Sequence, residues 1–292
     1  MKIDLHAAEQ FIYADARLLD RHRLAALLHG APQAPVLEAL RPYRNPDGGF
    51  GNALEPDLRG PGSEPAGTLH ALEVLAGIDA LEDPMVGDAA EWVASIAGPD
   101  GGIPFVLPGA DAFPHAPWMV PSEGGSFLTF ALAAVFREAD AELPWLEQGT
   151  EWCWKKLEGP EELGAYWLKF ALGFLDAVPD EDRAYASIES LRPRIGADGS
   201  VPVPEGAEGE ELSPLDLAPR PGVRSRVLFS DEQIEADLVS LEEGQQEDGG
   251  WMFDWLAWSP GQSVEWRGAV TLRALGTLLA HGRLDDRGDA GG

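Results

Sequence analysis

The sequence predicts an all-α protein folded as an α/α toroid, a closed ring of five to six helical hairpins with inner and outer helices. Two observations support this prediction: a turn built on Asp-Gly recurs along the chain, and two kinds of helix alternate between the turns. Helices that enter a turn are charged on one face, whereas helices that leave it are apolar on nearly all sides. Because a helix that is apolar all round must be covered all round, we expect the apolar helices to form the inner ring. A linear solenoid of the same hairpins is the alternative.

The Asp-Gly turn occurs at residues 45–50, 98–103, 197–201 and 248–251. Counted from the glycine after each aspartate, the steps are 53, 98 and 50 residues, so the middle step spans two periods. The missing copy falls near a helix break at 157–160. A period of this length is typical of repeat architectures. It predicts one domain, residues 1–283, followed by a disordered polar tail, residues 284–292.

The helices are predicted in order from their apolar spacing and from the capping residues, prolines and glycines that bound them. The predicted helical segments are 5–29, 36–43, 68–78, 85–97, 127–136, 145–157, 163–177, 180–193, 231–246 and 266–281. A Pro-rich loop, 104–121, precedes the third inner segment. Segment 201–229 contains five prolines, too many for a long regular helix. We expect an extended excursion there, with one short helix.

Composition excludes several classes of partner. The 21 Lys and Arg residues face 50 Asp and Glu residues, a formal charge of −29, which repels nucleic acid and anionic membrane surfaces. Cys153 is the single cysteine, so no intramolecular disulfide framework and no Cys-rich zinc site is expected. The N-terminus is charged throughout and no apolar run reaches the length of a membrane span. We therefore expect a soluble cytoplasmic protein without stable membrane insertion; the sequence leaves its oligomeric state open.

The fourth turn and its preceding helix resemble a known motif. Leu241-x3-Gln245-x3-Gly249-x-Trp251 is similar to the QW repeat of squalene and oxidosqualene cyclases, and residues 40–50 repeat its spacing with Arg for Gln and Phe for Trp. The resemblance covers the repeat scaffold across most of the chain. It implies the toroid superfamily of terpenoid cyclases and protein prenyltransferases, whose activity depends on the site and not on the scaffold.

Three motifs of that superfamily are missing from this chain. The Asp-x-Asp-Asp motif with which class II terpenoid cyclases protonate a double bond or epoxide is absent, as are Asp-rich motifs that bind Mg²⁺ for diphosphate ionisation. The nearest counterpart of the zinc-binding Asp-x-Cys of prenyltransferases is Glu151-Trp152-Cys153, on a charged helix expected to face outward. We therefore predict no metal and no cofactor.

Three glutamates are predicted to lie at the start of inner helices. Glu64 and Glu265 each follow their turn glycine by 16 residues, and Glu123 follows by 22 because the Pro-rich loop is longer. These acids, together with Asp254, are candidate catalytic groups at the mouth of an apolar chamber, where burial and mutual repulsion favour a protonated carboxyl. The alternative is that a glutamate at a helix start is favoured by the helix dipole alone.

Aromatic and polar side chains in the loops are candidates for ligand binding. The aromatic candidates offer π-faces to a cation, or else cap the ends of the core; they are Phe113, Trp118, Trp251, Phe253, Trp255 and Trp258. In the first loop, Glu55 and Asp57 add two acids, of which Asp57 is a candidate binding residue. His70 and His115 are candidate bases, although a lone histidine among apolar residues is more often a core group. The basic cluster Arg220, Arg224 and Arg226 binds an anionic group or pairs with the acidic surface.

These features predict a terpenoid-cyclase-like enzyme that performs acid-initiated cyclisation or isomerisation of a small apolar isoprenoid. The alternatives are a non-catalytic toroid that binds a hydrophobic ligand or a protein, and a lyase or glycosidase that uses paired carboxylates. Among the acids, Glu265 is the predicted proton donor, because Trp266 follows it and its loop carries the densest aromatic set. A wall of indoles removes solvent from a carboxyl and raises its pKa.

Overall fold

Twelve α-helices make up most of this computed structural model, which describes residues 3–140, 143–159 and 163–284. They are α1 (Leu5–Asp15), α2 (Leu18–His29), α3 (Ala34–Leu40), α4 (Pro65–Ala76), α5 (Pro84–Ile96), α6 (Leu128–Glu138), α7 (Pro144–Glu158), α8 (Ala165–Ala177), α9 (Glu181–Leu191), α10 (Pro214–Leu217), α11 (Asp231–Glu243) and α12 (Pro260–Ala280). Two short strands, β1 (Val201–Pro202) and β2 (Glu211–Leu212), pair antiparallel. The fold is all-α, as predicted.

Inner and outer helices differ in burial as the sequence indicates. The inner helix α4 buries ten of its 12 residues, whereas the outer helix α11 buries only Ile234 and Leu238 among its 13 residues. The even-numbered helices contact one another in order, α4 with α6, α6 with α8, and α8 with α10. The odd-numbered helices pack outside them. The described residues therefore form six helical hairpins with an inner and an outer helix in each.

The recurrent turns connect each hairpin to the next. The glycine of each turn has a positive φ, between 90° and 95°, a backbone conformation that is favourable only for glycine. Its Cα lies against the backbone or side chains of the next repeat: Gly48 against Asp88 on α5, Gly101 against Gln148 on α7, and Gly199 against Pro214. The aspartate carboxylate accepts a hydrogen bond from the N–H two residues later in all four turns.

The last turn closes the ring on the first helix. Gly249 packs against the backbone of Ala7 in α1. The side chain of Gln245 accepts from the N–H of Asp4 and donates to its carbonyl, both at 2.9 Å. In addition, α12 contacts both α1 and α2. A linear solenoid leaves its terminal repeats apart, so the closed toroid is the observed arrangement.

A buried threonine holds three of the turns to their inner helices. Thr68 Oγ1 accepts from the N–H of Phe50, Thr129 Oγ1 from that of Ile103, and Thr271 Oγ1 from that of Trp251, at 2.8–3.1 Å. All three threonines are fully buried. Each threonine supplies the acceptor that a buried N–H needs. The same threonine position thus recurs in three repeats, which the spacing of the glycines alone did not indicate.

Replacing Thr271 with valine is expected to destabilise the protein by about 1–3 kcal/mol, because the N–H of Trp251 loses its acceptor while the side-chain volume is nearly unchanged. Urea denaturation measures the change. Thr277→Val is the control on the same helix, at a partly buried position, and should change stability by less than about 0.5 kcal/mol. Equal effects of the two substitutions would contradict the assigned role of Thr271.

Two helix boundaries differ from the prediction. Segment 5–29 is not one helix, because Ala16 and Arg17 adopt extended backbone and separate α1 from α2. Helix α12 begins at Pro260, with the Ser259 hydroxyl accepting from the N–H of Gln262, six residues before the predicted start. The break adds a sixth hairpin, and the earlier start places Glu265 more than one turn inside α12.

Other predicted segments agree in outline. Segment 201–229 is mostly irregular, with the β1–β2 hairpin, α10 and a 3₁₀ turn, Arg224–Leu228. Leu284 is buried, and the remainder of the predicted tail, 285–292, lies outside the described residues, as does part of the predicted break at 157–160. None of the described helices combines the length and the hydropathy that a membrane crossing requires.

Candidate functional site

A cluster of buried polar side chains lies where the loop after the first turn meets α2, α4 and α12. Its acids are Glu55, which is 8% exposed, and Asp57, which is 3% exposed. The loop is held there by Arg17, which donates to the carbonyl of Leu54 at 2.9 Å and is ion-paired with the fully buried Asp20. The break between α1 and α2 is what brings Arg17 to this place. The loop thus inserts two carboxyl groups into a site with little solvent.

Glu55 has the higher pKa of the two acids. Burial raises the pKa of its carboxyl to about 7, because the charged form has lost its hydration. Its Oε2 lies 3.6 Å from Nδ1 of His70. Burial, with the charge of Arg17 as a second cause, lowers the pKa of His70 to about 4. At neutral pH, the carboxyl of Glu55 is therefore about half protonated, and the imidazole of His70 beside it is uncharged.

Asp57 has more hydrogen-bond donors around it. Nε1 of Trp258 donates to Oδ1 of Asp57 at 2.9 Å. Burial and the neighbouring Glu55 raise the pKa of Asp57 to about 6, while Trp258, Trp266 and Gln262 oppose the rise. The pKa of Asp57 is thus lower than that of Glu55. The charge on Glu55 raises the pKa of Asp57, so the two carboxyls titrate as a coupled pair.

Glu265, the proton donor predicted from the sequence, is held by a cation. Both of its oxygens accept from the guanidinium of Arg59, with Nη2 to Oε1 at 3.2 Å. The Glu265 side chain is 20% exposed, so indole rings do not isolate it from solvent. Its partner is Arg59, which lies in the first loop, far away in the sequence. Arg267, two residues after Glu265, pairs with Asp248 instead. A bidentate ion pair stabilises the charged form of a carboxylate.

The three glutamates do not share one structural position. Glu64 is the N-cap residue of α4 and is 7% exposed. Burial raises the pKa of its carboxyl to about 7, although the carboxylate accepts from the N–H of Leu107 at 2.9 Å. Glu123 is exposed in the loop before α6, and Glu265 lies within α12. The equal spacing fails because the loops between turn and helix differ in path.

A second polar group lies between the inner helices α4, α8, α10 and α12. Nζ of Lys169 on α8 lies 3.5 Å from Oδ1 of Asp216. Burial lowers the pKa of Lys169, and Arg273 on α12 also lowers it, whereas Glu73 on α4 favours the charged form. Glu73 is exposed between buried residues of α4, as is Arg273 between Leu272 and Ala274 of α12. The interior faces of the inner helices therefore carry charges here and do not form the uniformly apolar chamber that the sequence suggested.

Asp254 belongs to this second group and not to the acid pair. Asp254 is exposed as a whole residue. Its carboxyl group has nevertheless lost part of its hydration, and this raises its pKa, as do the charges of Asp216 and Glu210. Glu210 accepts from the hydroxyl of Tyr166 at 2.7 Å.

The predicted aromatic residues divide into three groups. Trp258, Trp255 and Phe253 lie around the acid site, with the rings of Trp255 and Trp266 at 5.0 Å and those of Phe253 and Trp255 at 4.9 Å. Trp251 is 4% exposed and donates to the carbonyl of Leu241, so it packs the turn. Phe113 and Trp118 are more than a third exposed, in the loop with His115, which pairs with Leu58 in a β-bridge.

Sequence reasoning missed a second aromatic group between α6 and α8. Phe127 stacks parallel to Phe170 at 5.2 Å and contacts Phe105 at 4.9 Å. Tyr166 and Trp167 lie against the same ring. Their spacing on apolar helices is that of ordinary core residues, so only the position of Phe127 at the start of α6 could have suggested a role in the lumen.

The basic cluster serves the fold. Arg224 donates to the carbonyls of Leu175, Asp176 and Val178 at the end of α8, where a cation is favourable. Arg220 pairs with Glu138 and lines a pocket of about 460 Å³ on the outside of the ring. Arg226 donates to the carbonyl of Ala218. Within the described residues, no group of three or more His, Cys, Asp or Glu side chains is arranged to hold a metal ion.

Comparison with known proteins supports the fold. No family model matches the chain, and no curated protein matches it. A crystal structure of a protein from Actinoplanes is 21% identical, with a TM-score of 0.57 over 94% of this chain and 90% of that one. A variant of type II terpene cyclase MstE from Scytonema, in complex with its substrate geranylgeranyl dihydroxybenzoate, is 16% identical, with a TM-score of 0.54 over 96% and 97%.

A further MstE variant, in complex with the product merosterolic acid A, is also 16% identical, with a TM-score of 0.56 over 94% of this chain and 95% of that one. These proteins have the same all-α architecture along nearly their whole length. Because function resides in the site and not in the scaffold, the likeness at this level of identity establishes the fold and leaves the chemistry to the residues described above.

Proposed function

We propose that the protein is a terpenoid-cyclase-like enzyme of the toroid superfamily, in which Glu55 donates the proton that initiates cyclisation or isomerisation of an isoprenoid. The observation that carries the proposal is the buried pair of Glu55 and Asp57, with pKa values raised to about 7 and about 6. An acid works best as a donor when its pKa lies near the working pH. Glu265 is less suitable as the donor because Arg59 holds its carboxylate.

Each group near the pair has a distinct part in the proposed step. Glu55 transfers its proton to one atom of the substrate's reactive group, and the electron pair of the broken π or C–O bond forms the new bond to hydrogen. Asp57, ionised and held by Trp258, stabilises the resulting cation, as do the faces of Trp255 and Trp266. The cation ends by losing a proton to water, and Glu55 regains one from solvent, so product and substrate have the same mass.

The charged level of the lumen favours an amphipathic isoprenoid over a pure hydrocarbon. Arg273 has no ion pair or hydrogen bond to another described residue. The ion pair between Lys169 and Asp216 is long, with 3.5 Å between Nζ and Oδ1. Arg273 and Lys169 can approach an acidic or phenolic head group, while the aromatic rings of Phe127 and Phe170 pack against the chain. MstE acts on a substrate of this kind, a geranylgeranyl chain joined to dihydroxybenzoate.

A second candidate is a lyase or glycosidase that uses Glu55 and Asp57 as acid and base. The charged lumen groups Glu73, Lys169 and Arg273 favour it, because a sugar has polar groups along its whole length. The two functions require the same ionisation of the pair but release different products. A lyase or glycosidase breaks the substrate into two molecules, whereas a cyclase leaves its mass unchanged.

The test is to incubate the purified protein with prenylated phenolic acids and with oligosaccharides, and to analyse the products by mass spectrometry. The proposal expects a new isomer of unchanged mass from a prenylated acid. Cleaved saccharide would favour the second candidate. Tight binding of the isoprenoid without conversion, under conditions in which Glu55 is protonated, would favour a ligand-binding toroid and reject the enzyme.

The pH dependence of kcat/KM is expected to be bell-shaped, with limbs near pH 6 and pH 7. Rate falls by about tenfold per pH unit above 7, because Glu55 must carry its proton, and falls below 6 as Asp57 becomes protonated. Steady-state rates between pH 5 and 9 measure the profile. A rate that rises through pH 7 would show that Glu55 acts as a base or has no part in the reaction.

A further inference from the structure

One guanidinium nitrogen of Arg17 is buried beside the acid pair and has no hydrogen-bond partner among the described residues. Arg17 is the N-cap residue of α2, and its side chain is 10% exposed. Its Nε donates to Oδ2 of Asp20 at 2.8 Å and its Nη1 to the carbonyl of Leu54 at 2.9 Å, whereas its Nη2 is unpaired. Folded proteins pair the great majority of buried donors. Holding the loop therefore accounts for Nη1 but leaves Nη2 unexplained.

Glu55 has a free oxygen where Arg17 has a free nitrogen. The carbonyl that accepts from Nη1 is bonded to the backbone nitrogen of Glu55, and Nη1 and Nη2 belong to the same planar fork. Oε1 of Glu55 accepts from the N–H of Asp57 at 3.3 Å. Oε2 accepts no hydrogen bond from a described residue; Nδ1 of His70 lies 3.6 Å away. Oε2 is therefore the oxygen left to carry the proton.

The other titratable groups near Glu55 and Arg17 are paired or uncharged. Besides Asp20, they are Asp57 in the loop, His70 on α4, Glu265 on α12 and Tyr43 of the 3₁₀ turn Arg41–Tyr43. Both oxygens of Glu265 accept from Arg59, and Asp57 accepts from Trp258. Burial raises the pKa of Tyr43 and lowers that of His70, so both are neutral at pH 7. Within the described residues, Arg17 is the cation that acts on Glu55.

We propose that Arg17 is a positioning residue for the acid pair, and that its free Nη2 donates a hydrogen bond to Oε2 of Glu55 once Glu55 has given up its proton. The inference rests on the proposed function for the transfer of that proton to a substrate. In the protonated acid, Oε2 carries the hydrogen and needs no second donor. As the proton leaves, negative charge develops on Oε2. A donor that is already desolvated and adjacent stabilises this charge with little reorganisation, which favours the transition state over the resting acid.

The experiment measures the titration midpoint of Glu55 in the purified protein without substrate, by infrared difference spectroscopy between pH 5 and 10. The band of the protonated carboxyl is assigned to Glu55 by its loss in Glu55→Gln. This assignment separates it from Glu64, whose pKa burial also raises to about 7.

Two substitutions of Arg17 test the role of its charge and of its free nitrogen. Arg17→Gln keeps an amide donor and removes the charge, so the midpoint of Glu55 is expected to rise by at least about one pH unit. Arg17→Lys keeps the charge but has a single donating nitrogen, which the buried Asp20 engages. The midpoint should then still rise, by a smaller amount.

Arg23→Gln is the matched control. Arg23 pairs with Oδ1 of Asp20 at 3.2 Å, but its charge is not among those that act on Glu55. Its replacement removes one of the two cations on Asp20, as Arg17→Gln does, and should leave the midpoint of Glu55 at its wild-type value. Equal midpoints in Arg17→Gln and Arg23→Gln would overturn the proposal. If Arg17→Gln fails to fold, Arg17→Lys decides, and a wild-type midpoint in that variant would overturn the role of Nη2.

Turnover distinguishes this inference from the proposed function, because the titration needs no substrate. In an active protein, Arg17→Gln is expected to lower kcat by at least about tenfold, although more of Glu55 is protonated, and to move the alkaline limb of the pH profile upward. A purely structural role would lower kcat without moving that limb. A raised midpoint in a protein that converts no isoprenoid would keep the contact between Arg17 and Glu55 and reject the enzyme. Turnover with an unchanged midpoint would keep the enzyme and reject the contact.

Discussion

Glu55→Gln is expected to lower turnover by at least about a hundredfold while the protein stays folded, because glutamine matches the shape of the acid but has no proton to donate. General acid catalysis contributes about 10²–10⁴-fold. Glu55 is a buried acid with a pKa of about 7, near the working pH, and it differs from Glu64, which has a similar pKa, in lying beside a second acid, Asp57. Turnover is measured at pH 6.5 with a substrate that the wild type converts to an isomer of the same mass. Circular dichroism checks the fold.

Glu265→Gln is the control. It removes a carboxylate on α12, the helix that the loop of Glu55 contacts. Arg59 is left without its partner but is 29% exposed, so water can solvate it. The cost in stability is about 1 kcal/mol, as for partly exposed ion pairs, and turnover stays within about tenfold. The opposite result, in which Glu265→Gln abolishes turnover and Glu55→Gln does not, would reassign the proton to Glu265.

Gly249→Ala is expected to be the most destabilising single substitution in the turns, with a loss of at least about 3 kcal/mol or no folded protein. The φ of Gly249 is 90°, which an alanine adopts only with strain. Its Cβ would also overlap the backbone of Ala7 in α1. Since backbone cannot rotate away as a side chain does, the contact that closes the ring must open. Thermal and urea unfolding measure the loss.

Gly30→Ala separates the two causes. Gly30 ends α2 with a φ of 61°, and a Cβ there meets no atom within 4 Å. Only the strain of the left-handed backbone remains, which costs about 1 kcal/mol. If Gly30→Ala and Gly249→Ala lower stability equally, the contact with Ala7 contributes nothing and the ring is held by other interactions.

The repeat architecture was predictable because it depends on interactions between residues that are close in the sequence. An Asp-Gly turn needs only the positive φ of its glycine and a carboxylate that accepts from its own backbone, and both conditions involve residues next to each other. The alternation of charged and apolar helices depends on the burial of each face. By contrast, the break at Arg17 has no glycine or proline to mark it, and the sequence predicted one helix where two are present.

Part of the candidate site was also predictable. Asp57, His70, Trp255 and Trp258 were named from the sequence, because acids and aromatic residues in loops before apolar helices indicate a lumen mouth. Glu55 was noted only as an additional acid. Gln262 was not predicted, since a glutamine in the first turn of a helix is typical of capping and not of a site.

What the sequence by itself determined is the ring of helical hairpins, its turns, and the loops in which reactive side chains are placed. Only the tertiary structure decided which carboxyls are buried with raised pKa values, namely Glu55, Asp57 and Glu64. Arg59 and Glu265 are 206 residues apart and form an ion pair, while Asp57 meets Trp258 across 201 residues. Both contacts depend on closure of the ring, which joins the first repeat to the last. A carboxyl's pKa depends on its solvation and on nearby charges, and here both are supplied by residues from the opposite end of the chain.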